Sequence, residues 1–155
     1  MKGTNTILPT QDERVMAALS HVSALMPFMG VIAPIVIWVT QREKSRYVAF
    51  QALQALAYQL CMILAWFLGM GCYMLFFFST FLTIPFAESS GSSQTIAPVF
   101  GLAFLLPFLI IALLFIGGFF FMLYGVIGAI NAFQGKPFRY VLIGRRIEMF
   151  MEGSD

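Results

Sequence analysis

Apolar residues fall along this chain in three long blocks separated by short polar stretches, and the blocks carry the fold. The first runs from Val15 to Val39 and is interrupted at Pro27-Phe28-Met29-Gly30 and again at Pro34. As one helix it would reach about 37 Å, enough to cross a bilayer; broken at Pro27–Gly30, its pieces would reach only about 18 and 15 Å. The segment is either a hairpin, whose irregular backbone must be covered by protein and which keeps all nine Lys and Arg on the cytoplasmic side, or a full crossing, which puts Lys2 and Arg14 outside. Both readings stay open on sequence alone. The second block continues without interruption from Arg46 to Thr83. Straight, it would be about 57 Å long, so its first turns should lie at the interface as an amphipathic helix and the crossing should follow. The third block, Val99 to Phe133, is also overlong, at about 52 Å, with Pro107 as a site for a kink.

The expected architecture is therefore an all-α integral membrane protein forming a single membrane domain. Residues 1–11 are a polar, poorly ordered N-terminus, and 12–40 form the broken apolar helix or hairpin. An interfacial helix running into a span occupies 46–84. An outward loop fills 85–98, with Pro85 and Pro98 punctuating the helix ends. A second span covers 99–134, and a basic cytoplasmic tail, lying flat on the membrane, covers 136–155. Asp12 and Glu13 suit the start of a helix, and Gly135 suits the residue just past the end of one.

Composition sharpens this picture. Of 155 residues, 60% are hydrophobic and 10% charged, too apolar for a soluble domain of this size to bury. No Asp, Glu, Lys or Arg occurs from Tyr47 to Ala87 or from Ser89 to Gly135. Seven of the nine Lys and Arg lie in the 42–46 loop or the C-terminal tail, which places both on the cytoplasmic side by the positive-inside rule. These charges hug membrane borders, so anionic lipid headgroups, not nucleic acid, are their expected partners. The absence of a signal peptide or an Arg-rich transit segment points to a multi-pass protein of a bacterial cytoplasmic (inner) membrane.

Little in the chain looks like catalytic chemistry. His21 is the only histidine, and it is read either as a membrane-embedded proton or cofactor ligand or as a neutral imidazole hydrogen-bonded inside the bundle. Cys61 and Cys72, about 16 Å apart on one helix, are read as buried small hydrophobes. No metal motif, triad or phosphate loop is present, so the expectation is a non-enzyme without cofactors or bound metal. The polar residues of the apolar blocks gather near the cytoplasmic border. Gln51, Gln54 and Tyr58 form one stripe at i, i+3 and i+7, and with Arg46, Phe50 and Asn131 they are candidates for partner contacts or a polar vestibule. Gly125/Ala129 and Gly128/Ala132 are small residues four apart, a close-packing face used either within the chain or towards an oligomer.

Several stretches resemble a family of small, mostly bacterial membrane proteins related to the Tic-twenty component of the chloroplast inner-envelope import machinery. They are Glu13-Arg14 leading to Ala18-Leu19-Ser20-His21; Pro34-Ile35-Val36-Ile37-Trp38; Ser45-Arg46-Tyr47-Val48-Ala49-Phe50-Gln51-Ala52-Leu53-Gln54-Ala55-Leu56; and Asn131-Ala132-Phe133-Gln134-Gly135-Lys136-Pro137-Phe138-Arg139-Tyr140. The likeness covers both ends of the chain; many relatives carry His where this chain has Gln51. The resemblance implies no catalytic residue. It offers a protein-translocation or small-solute conduit as the alternative to an accessory subunit that works with a membrane-protein partner or as a homo-oligomer.

Overall fold

Thr10 starts the first helix by a reciprocal cap. Its hydroxyl accepts the Glu13 backbone N–H, and the Glu13 carboxylate accepts the Thr10 N–H at 2.7 Å. The computed structural model describes residues 8–26, 28–89, 93–136, 138–141 and 143–152. Among the described residues five α-helices follow one another: α1 (Gln11–Val22), α2 (Ile32–Gln41), α3 (Arg46–Ser89), α4 (Ser93–Phe133) and α5 (Gly144–Glu152). No strand occurs among the described residues.

The first apolar block is broken where the sequence places the break. One-turn 3-10 segments at Ser23–Leu25 and Met29–Val31 flank a reversal in which Phe28 takes a φ of 63°, and α1 and α2 pack together as a hairpin. Pro27 itself lies outside the described residues. Within the turn, Met26 N–H donates to the Ser23 carbonyl and Gly30 N–H to the Met26 carbonyl. Gly30 is in direct contact with the Ser23 carbonyl oxygen, where any side chain would collide. With 12 and 10 residues, neither helix is long enough to cross a bilayer. An impermeant maleimide should therefore label Thr10→Cys and Arg42→Cys from the same side and leave Met29→Cys unlabelled from either. Labelling of Thr10→Cys and Arg42→Cys from opposite sides would refute the hairpin.

α3 and α4 are the candidate spans, over Arg46–Leu82 and Phe104–Phe133. Each contains an 18-residue apolar window that is only 6% buried, so these are not core helices of a soluble protein. Beyond the Gln51–Gln59 stripe of α3, both are predominantly apolar on every side, as lipid-facing helices are. The chain forms two compact units. In the unit of Ile63–Phe120, α3 meets α4 where Gly69 lies against the Leu114 side chain. Trp66 packs edge-on to Phe115 and beside Gly118. Leu64, Phe67, Leu68, Leu75 and Phe78 are exposed on α3, as are Leu109, Leu113, Ile116 and Phe120 on α4.

Three expectations are corrected. The loop placed at 85–98 is mostly helix: α3 runs through Pro85 to Ser89, α4 begins at Ser93, and Ser90, Gly91 and Ser92 lie outside the described residues. Proline already holds a helical φ and removes only one donor, so in an apolar helix it need not mark an end. Cys61 and Cys72 are exposed rather than buried, because a span's apolar surface needs no protein cover. The tail does not simply lie flat, since Tyr140 is buried within its unit. The end of α4 agrees with the sequence. Gly135 takes a φ of 70°, its N–H donates to the Ala132 carbonyl, and Lys136 N–H donates to the Asn131 carbonyl.

Candidate functional site

The other unit, made of residues up to Met62 together with those from Phe121 onward, encloses the polar groups of the apolar blocks. Ser45 joins the starts of two helices. Its hydroxyl accepts the Val48 N–H at the beginning of α3 and donates to Glu13 of α1, which holds that carboxyl below its ordinary range. Tyr47 donates to the Ala132 carbonyl and so fixes the beginning of α3 beside the end of α4.

One turn further along α3 the buried knot begins. Gln51 donates its amide N–H to the Phe138 carbonyl at 3.2 Å, which leaves its Oε1 to accept the His21 Nε2–H at 3.1 Å. A neutral His21 must then accept at Nδ1, where the Tyr140 hydroxyl donates at 3.0 Å. Gln54 clasps the tail at two points, donating to the Phe138 carbonyl and accepting the Tyr140 N–H. Tyr58 stacks face to face on the Tyr140 ring at 4.1 Å, donates to the Phe121 carbonyl, and meets Tyr124 edge-on. Gln59 holds the hairpin through the Ser20 carbonyl and the Ser23 hydroxyl. Among the described residues every buried side-chain polar atom has a partner.

Electrostatics follow from this burial. His21 is 1% exposed, and loss of water lowers its pKa to about 4 against a smaller opposing effect of the Gln51 hydrogen bond. Burial also pushes the Tyr140 hydroxyl up, with Tyr58 and Tyr124 adding to it. The ring at the centre is a neutral hydrogen-bonding imidazole at physiological pH.

The sequence candidates thus separate. Gln51, Gln54 and Tyr58 meet in one cluster, which also gathers the small-residue face. A Cβ on Gly128 would sit 3.0–3.2 Å from Phe138, His21 and Tyr140, and one on Gly125 would sit 3.2 Å from Ala24. Ala129 and Ala132 are buried beside them. Arg46 is exposed at the start of α3, Phe50 is half-buried, and the Asn131 side chain donates to the Ile127 carbonyl of its own helix. The candidate set did not include Tyr140, Tyr47, Phe138 or the Ser20/Ser23 pair; a lone histidine facing a glutamine stripe, and aromatics in an otherwise basic tail, were the available signals. Among the described residues no three His, Cys, Asp or Glu side chains gather as a metal site.

The arrangement has a direct consequence. Gln54→Leu removes two of the bonds that hold the tail, leaving those from Gln51 and His21, and leaves the Tyr140 N–H unpaired, at a cost of about 2 kcal/mol. Asn131→Leu should change stability by less than about 0.5 kcal/mol. Trypsin cleavage at Arg145 and Arg146 should accelerate several-fold in the first variant and stay unchanged in the second.

Two candidate spans, a hairpin too short to cross and an inward-turned polar clasp define a small helical membrane protein with no recognised catalytic constellation. The model of the magnetosome magnetite crystal formation protein family (MamF/MmsF) matches residues 12–147, and the chain belongs to that family. No curated protein and no solved structure is significantly similar to it. Membership of a small membrane-protein family, as the short stretches implied, is therefore shown; the comparisons show no link to the Tic-twenty component and lend no support to a conduit role.

Proposed function

We propose that this protein is a non-enzymatic accessory subunit of the magnetosome membrane that acts in magnetite crystal formation through contacts of its helix faces with another membrane protein or a second copy of itself. The observation that carries this reading is the satisfaction of the polar stripe within the chain. Gln51, Gln54, Tyr58, Gln59 and His21 bond to the tail, the hairpin and α4, so these groups are not available to line a conduit or to ligate iron. The faces that remain outward on α3 and α4 are apolar, which suits lipid and membrane-protein neighbours. The exposed charges of the 42–46 loop and Arg145 and Arg146 of α5 suit anionic headgroups, with the C-terminus cytoplasmic by charge distribution.

Photocrosslinking tests the reading. Probes replacing exposed Phe78 and Phe119 in a magnetite-forming cell should capture one defined membrane partner, or the protein itself, in the magnetosome fraction. A broad spread of unrelated polypeptides, or recovery outside that fraction, would overturn it.

A further inference from the structure

Within its own unit the hairpin sits beside the first turns of α3 in a definite register. Its base is tied to the charged end of the unit by Glu13 to Ser45, and its exposed neighbours there are Asp12, Arg42, Glu43 and Lys44. Trp38 lies at the same end with the Arg42 guanidinium 5.8 Å from its ring centre, an aromatic and a cation of the kind found at a membrane interface. The tip is tied elsewhere. Ser20 and Ser23 bond to Gln59, Gly30 lies against Gln59, and Ala24 lies against Gly125. Tyr47 and Gln59 are twelve residues apart on α3, so the tip reaches about 18 Å from the charged end, a little over half of a ~30 Å hydrocarbon core.

The outer surface of this hairpin is apolar along that whole depth. Val15, Leu19 and Val22 form an exposed stripe on α1, and Ile32, Ile35, Val36 and Val39 form one on α2. At the tip, Met26 and Met29 are 66% and 67% exposed. Hydroxyls along the hairpin are satisfied internally: Ser20 and Ser23 donate to the Ala17 and Ser20 carbonyls near the turn, and Thr40 at the base donates back to the Val36 carbonyl. A charged base, an interfacial tryptophan, Met26 and Gly30 N–H groups paired within the turn, and an apolar tip suit insertion into lipid.

We propose that the α1–α2 hairpin is a one-leaflet wedge: it inserts into the leaflet at the charged end, stops near the bilayer middle, and gives the protein a preference for membranes in which that leaflet is convex. The occupant of its apolar face is the acyl layer of that leaflet. The hairpin adds two helices to one leaflet and none to the other, because neither helix is long enough to reach it. Area added to one leaflet is accommodated at lower cost where that leaflet is stretched by curvature. The inference rests on the membrane embedding of the chain and is independent of its role in crystal formation.

The test is reconstitution of the full chain, fluorescently labelled near the C-terminus, into phosphatidylcholine–phosphatidylglycerol vesicles of mixed size. Label density per unit area is measured vesicle by vesicle. An impermeant quencher reports the fraction of charged ends facing outward. Density should be about threefold or more higher on vesicles near 30 nm than on those near 400 nm, with charged ends outward predominating on the small ones. Met26→Asn/Met29→Asn, which changes only exposed tip residues, should flatten both trends while its melting temperature stays near that of the unaltered protein. An even density and equal orientations of the unaltered protein across all diameters would overturn the wedge, whether or not the variant folds. Retention of full sorting by a folded variant would overturn the role of the tip.

Discussion

Replacing Gly30 with alanine should lower the melting temperature of the protein more than any other single glycine-to-alanine change in the described helices and turns. The added methyl would meet the Ser23 carbonyl oxygen, with the Gln59 side-chain oxygen 3.0 Å away on another side. That carbonyl cannot withdraw easily, because it accepts the Met26 N–H that closes the turn. Relief requires the backbone of the reversal to open, and overpacking of this kind costs about 3 kcal/mol. Gly71 and Gly117 are the controls, since a methyl at either meets nothing within 4 Å. Alanine there should be neutral or stabilising by up to about 1 kcal/mol through helix propensity. Thermal melts of the three variants in one detergent check the ranking. A Gly30→Ala protein as stable as the controls would mean that α1 and α2 do not turn back on each other here.

Acidification should weaken the clasp before it affects the rest of the unit. Burial lowers the His21 pKa from 6.5 to about 4, so the unfolded chain binds a proton at His21 over a range where the folded chain does not. Stability from this residue is complete above about pH 6.5 and is lost as pH falls towards 4. The whole effect amounts to about 3 kcal/mol, of which about 2 kcal/mol disappears between pH 7 and pH 5. Glu13 acts in the same direction but lower, because its carboxyl is held below 4.5 in the folded state. Unfolding measured at pH 7 and pH 5 isolates the histidine. His21→Gln should be less stable at pH 7, having lost the ring between Gln51 and Tyr140, and should show little change between the two pH values. A wild-type protein equally stable at both would contradict the buried neutral imidazole.

Much of this fold is legible in the hydrophobic pattern, because lipid imposes long uncharged runs and a helix must satisfy its own backbone. The break at Pro27–Gly30 and the glycine stop at Gly135 could be read from the residues that make them. The end of α3 and the start of α4 could not, because Pro85 is compatible with a helix as well as with its end. The clasp was half visible. Gln51, Gln54 and Tyr58 announced a stripe through their helical spacing, but its partners come from sequence positions more than 80 residues away, Phe138 and Tyr140. Composition gave that tail a surface role because Arg139, Arg145 and Arg146 dominate it. The tyrosine between them is buried for a reason no periodicity carries, the stacking surface that Tyr58 offers. Resemblance of the short stretches reached a family of small membrane proteins but not magnetite crystal formation, since apolar helices with similar borders look alike across membrane proteins.

The central claim is that this small helical membrane protein serves magnetite crystal formation as an accessory subunit rather than as an enzyme or a conduit. Its most direct test is electron microscopy of crystals in a magnetite-forming cell whose own copy of the gene has been deleted. Crystals should be altered in size or shape but still form, with normal crystals restored by the unaltered gene and by Asn131→Leu, and not by Gly30→Ala. Crystals indistinguishable from those of the parent cell after deletion would contradict it.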